Sequence, residues 1–152
     1  MKKNAFTFCT SLFLTILFCF AQCKKEHKAI NITLYNKPLS TIQSSIQGNW
    51  KLHYGKGGIC GSCVQYYNSS IWEFTNTNKI IKLYYQDTIV NTTIKWIRDL
   101  GTYTNGDSTF IMNFYDIRGY PSNYVVDGIF NDTLVLHDNS SDAFFYHFTK
   151  FN

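Results

Sequence analysis

From Gly48 onward, β-branched and aromatic residues alternate with polar ones, and clusters of Asn, Asp, Gly and Ser interrupt the alternation. Such breaks at spacings of roughly 8–12 residues mark an all-β sandwich or barrel. A period of two puts every second side chain on one face, so each strand needs a core on that side. The spacing predicts eight strands, at 49–54, 70–75, 80–86, 88–97, 108–115, 123–130, 133–137 and 143–150. Most connections between them are short enough for hairpins, which predicts an antiparallel meander. Closing a meander into a barrel removes edges that would otherwise pair with other chains. The chain beyond Gly48 suffices for one core and not for two domains. Upstream, Leu39, Ile42 and Ile46 fall at helical spacing and predict a short helical turn at 39–47.

If Trp50 points inward, parity sends Leu52 and Tyr54 with it. The same reasoning pairs Trp72 with Phe74, Ile81 with Leu83 and Tyr85, and Ile94 with Trp96. It also faces Phe110, Met112 and Phe114 inward, together with Leu134 and Leu136. Aromatic residues make up 18% of the chain, so this interior is rich in rings. An eight-stranded barrel is either just filled by its side chains or holds one small ligand, and both outcomes stay open. Should it hold one, Tyr54, Phe74, Leu83, Tyr85, Trp96, Met112 and Phe114 are the expected contacts.

Gly48-Asn49-Trp50 stands where the helical turn meets the first strand, and the chain closes on the aromatic and basic "FYHFTK". This order, with Gly57-Gly58 and Gly61 after the first strand, resembles the lipocalin superfamily and the small lipocalin-like domains of bacterial lipoproteins. The resemblance implies an eight-stranded up-and-down barrel that binds a small apolar or amphipathic molecule without catalysis. It also implies that Trp50 closes the barrel floor and that Lys150 packs across it in a cation–π contact.

At the other end, Lys2 and Lys3 precede an uncharged apolar run from Asn4 to Gln22, the pattern of a secretory signal peptide. A membrane-spanning anchor is the competing reading, but the run ends at Ala21 directly before Cys23, as at a cleavage site. Phe20-Ala21-Gln22-Cys23 resembles the lipobox of bacterial lipoproteins, which implies lipid on Cys23 and a protein held to the cell envelope. Cleavage after Ala21 would instead give a secreted protein. The expected organisation is a signal at 1–22, a lipidated tether at 23–38 and a barrel at 39–152. Much of the formal charge of +4 sits in the signal and in basic Lys24 to Lys37, leaving the barrel near neutrality. That argues against a nucleic-acid partner. A membrane, a small apolar ligand and a monomeric state are expected.

With Cys9 and Cys19 in the signal and Cys23 acylated, only Cys60 and Cys63 remain as thiols. Export favours a disulfide between them, stapling a surface loop at 55–67. A zinc site needs about four ligands, and no helical pattern follows Cys63 to make a thioredoxin-like redox site. His53, His137 and His147 fall on strands, the aspartates mostly on turns, and Glu26 and Glu73 are the only glutamates. No acid–base pair stands out, so neither catalysis nor a metal or other cofactor is expected. The alternative function is a protein-binding module, such as a hydrolase inhibitor, acting through the 55–67 loop.

Overall fold

The alternating pattern becomes strands along most of the chain. The computed structural model describes residues 28–104 and 106–151. Its strands are β1 (Asn31–Thr33), β2 (Gly48–Gly57), β3 (Cys63–Phe74), β4 (Lys79–Tyr84), β5 (Asp87–Thr93), β6 (Lys95–Leu100), β7 (Ser108–Tyr115), β8 (Pro121–Phe130), β9 (Thr133–Asp138) and β10 (Phe144–Phe151). One helix, α1 (Leu39–Ile46), lies between β1 and β2. The strands form one antiparallel sheet in the order β5-β4-β3-β2-β10-β9-β8-β7-β6, curled into a half-barrel. The all-β expectation holds.

Two details of that expectation do not. The strand expected at 88–97 is divided at Ile94, after which the chain leaves β4 and pairs with β7. The sheet therefore curls without a ladder between β5 and β6, where a closed eight-stranded barrel was expected. Ile117 N–H donates to the Ile89 carbonyl at 3.3 Å and links the two flanks.

The fold also begins earlier than residue 39. β1 pairs with the second half of β8, Asn31 opposite Phe130 and Thr33 opposite Gly128. Leu34 is fully buried, and its N–H donates to the Asp127 carbonyl at 2.7 Å. Residues 31–38, expected in the tether, thus cover an edge of β8 that would otherwise stand unpaired. Three strand residues are too few to show a period, which hid β1 in the sequence. The expected signal at 1–22 and lipidation at Cys23 fall outside the described residues. Among the described residues no helix is long and apolar enough to cross a membrane.

α1 turns Ile42 and Ile46 into the core. The centre of the sheet fills with Phe148, Leu134, Leu136, Met112 and Ile80, none of them exposed. Burying each such side chain contributes roughly 1.5–3 kcal/mol. Trp50 lies beneath α1, and its Nε1–H donates to the Ile46 carbonyl at 2.7 Å. Lys150 Nζ stands 4.4 Å from the centre of the Trp50 ring and donates to the Gln47 carbonyl. A Cβ on Gly48, which holds φ +105°, would come within 2.9 Å of that Nζ. The glycine before the tryptophan leaves room for the lysine.

Candidate functional site

Parity along β2 survives only to Leu52. Register shifts between Leu52 and Tyr54 interrupt both neighbouring ladders, and the one against β10 leaves β2 one residue longer, at His53. Such a bulge reverses which face each later residue meets. Gly55 and Gly57 therefore turn inward, and a Cβ on Gly55 would sit 3.2 Å from the rings of Phe144 and Tyr146. Tyr54, expected inside, stacks on His147 with ring centres 4.4 Å apart.

The same glycines mask a hairpin. Residues 55–67 were expected as a loop, yet β2 runs to Gly57 and β3 starts at Cys63, leaving five residues between them. Gly57 at φ +131° and Gly58 at φ +75° begin this turn, with the Gly61 N–H bonded to the Gly58 carbonyl at 2.8 Å. Cys60 and Cys63 close it with a disulfide, as expected, their Cα atoms 5.7 Å apart. Tyr66 and Tyr67 consequently stand on a strand.

β4 carries the larger surprise. Asn78, at φ 61°, ties the preceding turn down: its Nδ2 donates to the Ile94 carbonyl at 2.8 Å and its Oδ1 accepts from Trp96 Nε1 at 2.6 Å. The resulting register sets Ile80 opposite Phe74 and Lys82 opposite Trp72. Ile80 and Lys82 are the inward residues, while Leu83 lies half-buried on the other face and Tyr85 falls in the turn beyond, at φ 49°. In "KIIKLYY" both parities contain apolar residues, so alternation alone does not decide which face turns inward, and Ile81, Leu83 and Tyr85 were the expected ones.

Lys82 is 7% exposed. Its Nζ stands 3.4 Å from the centre of the Trp72 ring, 4.6 Å from Phe114 and 4.8 Å from Tyr124. Phe114 stacks on Tyr124, and Trp72 meets Tyr124 edge-on, which fixes the box around the amine. Ion pairing does not neutralise it: the only pair within 4.0 Å among the described residues is His137 with Asp127. Burial pushes the Lys82 amine down to about 7, against the upward pull of Asp138 and Asp116.

Lys82 lines a cleft of about 470 Å³ that opens between the β2–β3 hairpin and the β4–β5 turn. Trp72, Tyr124 and Tyr146 wall it deep inside; Tyr66 and Tyr85 stand at its rim, 74% and 65% exposed. Beside it Asp138 accepts from the Tyr146 hydroxyl at 3.1 Å. Burial raises the Asp138 carboxyl, in opposition to that hydrogen bond. Burial also raises the phenols of Tyr67, Tyr124 and Tyr146, with Asp138 adding to each, so they remain neutral donors. An aromatic cleft of mixed polarity thus ends on one amine and several hydroxyls, with Gln65, Asn68 and Ser70 also on its wall.

Of the expected ligand contacts, Tyr85 lines this cleft and Phe114 backs its lysine. Phe74 and Trp96 instead border a separate hollow of about 180 Å³ beside α1, and Met112 is sealed in the core. Leu83 and Tyr54 line neither the interior nor the α1 hollow. Sequence reasoning missed Lys82, Tyr124, Tyr146 and Asp138, and placed Tyr67 in the contact loop at 55–67. No group of three or more His, Cys, Asp or Glu gathers for a metal among the described residues. His137 is buried on the outer face, with Nδ1 2.8 Å from Asp127 Oδ1 and Tyr103 and Phe145 packed against the ring. Compared with family models, with curated proteins and with solved structures, the chain matches none of them.

Proposed function

We propose that the chain is a membrane-tethered, non-catalytic binding protein on a lipocalin-like barrel, taking a small apolar or amphipathic molecule into the cleft over Lys82. One observation carries this reading: a buried amine without an ion-pair partner stands under an open aromatic cleft. The cleft's 470 Å³ falls within the range of roughly 300–1,000 Å³ usual for small-molecule sites. Its lining sets aromatic rings beside a comparable polar surface, which suits an amphipathic molecule. The apolar run ending at Ala21-Gln22-Cys23 supports the tether, and the Gly48-Asn49-Trp50 entry supports the lipocalin-like relationship.

Titration with 1-naphthol, followed through tryptophan fluorescence and calorimetry, tests the cleft. Saturable binding of one naphthol per chain is expected, weakened several-fold when Tyr66→Ala and Tyr85→Ala open the rim. A linear, unsaturable response would end the reading. Cys23→Ser tests the tether: loss of detergent partitioning and of the lipid mass is expected, and no change in either would leave a secreted protein.

A second reading rests on Ile59, 92% exposed at the tip of the stapled turn. A pre-ordered turn with an apolar tip loses little entropy on docking, which suits a protein-binding module such as a hydrolase inhibitor. Native mass spectrometry of protein taken from its own host separates the two. A retained small molecule supports the carrier and a stoichiometric protein supports the module.

A further inference from the structure

Lys82 is the one lysine among the residues that line the cleft. Three ring faces hold its Nζ in place, and no carboxylate comes within ion-pair distance among the described residues. A lysine that serves as a counter-ion sits beside its acid; this one is kept dry on aromatic faces, at the base of a cleft open to solvent. We propose that Lys82 captures small apolar aldehydes as a reversible imine, with the aldehyde's body against the aromatic walls.

The chemistry balances without a redox partner. The free lone pair of Nζ adds to the carbonyl carbon, and the carbonyl π pair moves to oxygen. That oxygen takes up a proton from cleft water as the nitrogen gives one back, leaving a carbinolamine. The hydroxyl takes a proton from water and departs as water while the nitrogen lone pair forms the C=N bond, and the last N–H proton returns to water, so aldehyde and amine give imine and water. The geometry favours both ends of this sequence. Burial leaves a sizeable share of the amine unprotonated near neutral pH, which nucleophilic attack requires. Once the imine is protonated it is again a cation, and it lies on the same face of Trp72 that holds the ammonium. Water released in the step leaves through the open mouth.

This inference rests on the cleft being a ligand site, and the experiment separates the two claims. The protein is incubated near pH 7 with benzaldehyde and cyanoborohydride, which reduces any imine to a stable secondary amine, and adducts are mapped by peptide mass spectrometry. A single adduct at Lys82 is expected, formed at least about tenfold faster than at Lys51, Lys56 or Lys79, because burial frees its amine near pH 7 and the cleft holds the aldehyde against it. Saturating 1-naphthol should suppress it, and Lys82→Arg, which keeps the cation but not the nucleophile, should abolish it. Adducts spread over the surface lysines with Lys82 no faster would overturn the imine, while naphthol binding would still stand. Should naphthol also fail to bind, the cleft reading falls with it.

Discussion

Two lysines in this protein lie on tryptophans across neighbouring strands, Lys150 on Trp50 and Lys82 on Trp72. The contacts look alike, with Nζ at 4.4 Å and 3.4 Å from the ring centres. Their surroundings differ. Lys150 reaches along the barrel end, remains exposed and donates to the last carbonyl before the Gly48 turn. It ties α1 to the sheet, and burial lowers its amine. Lys82 has gone inside, meets three rings and no carboxylate partner, and opens onto a cleft. The same pair of residues is a structural staple where a carbonyl satisfies the amine and water screens it. Where neither is true, the lysine is the position we propose for ligand binding and imine formation.

Mutations at the two pairs should therefore separate stability from function. The largest effect is expected at Trp50, the base of the staple. Truncation of a buried aromatic typically costs ~3–5 kcal/mol, so Trp50→Ala should lower the denaturation midpoint severely or prevent folding. A midpoint equal to that of the parent would break the assignment of this end as the packed one.

Lys82→Met should do the opposite and stabilise the protein. An amine depressed in the folded state is disfavoured as the cation, so its cost is fully present below about 7. As pH rises from there toward the lysine's ordinary value, the unfolded chain holds more protons than the folded one, and the cost fades. Lys82→Met is therefore expected to gain roughly 2–4 kcal/mol on the acid side of this window, with the gain shrinking through it toward alkaline pH. Urea midpoints across that range check the sign. A gain that grew with pH would contradict the burial of Lys82.

These two outcomes also show what the sequence makes legible. Alternation after Gly48 reveals the strands and their meander, and the Gly48-Asn49-Trp50 entry brings Trp50 and Lys150 together. A glycine at φ +105° against the lysine gives that short motif a steric cause. The site was hidden by three local events. A bulge at His53 reverses parity in β2 and turns Tyr54 away from the interior. Gly55 and Gly57 read as a loop, although each sits in a strand, where a Cβ would crowd Phe144 and Tyr146 at Gly55 and strike the Ala143 carbonyl at Gly57. In β4 the parity that buries Ile80 must also bury Lys82, a cost that a reading of polarity alone refuses. The rings that accept the lysine come from β3, β7 and β8, and that convergence is a property of the curled sheet.

A smaller effect is expected from Lys150→Met. Losing one exposed cation–π contact should cost about 0.5–2 kcal/mol, with no change in naphthol affinity. A change in affinity comparable to that from the rim tyrosines would mean that the two ends of the barrel are coupled. The smallest effect should come from replacing both Cys60 and Cys63 by Ser. The disulfide spans only three residues of sequence separation, and short loops gain little from cross-linking in the chain-entropy account. The thermal midpoint should hardly move, while thiol labelling of the parent without reductant should find neither cysteine free.

The central claim is that Lys82 lies inside the curled sheet on an aromatic face, and NMR titration of its side chain tests this most directly. Its ε-methylene resonances, assigned by their loss in Lys82→Arg, should be displaced upfield by the ring currents of Trp72, Phe114 and Tyr124 and should titrate with a midpoint near 7. An undisplaced signal with the midpoint of an ordinary lysine, near ~10.4, would put Lys82 in water and reverse the face that β4 presents to the core.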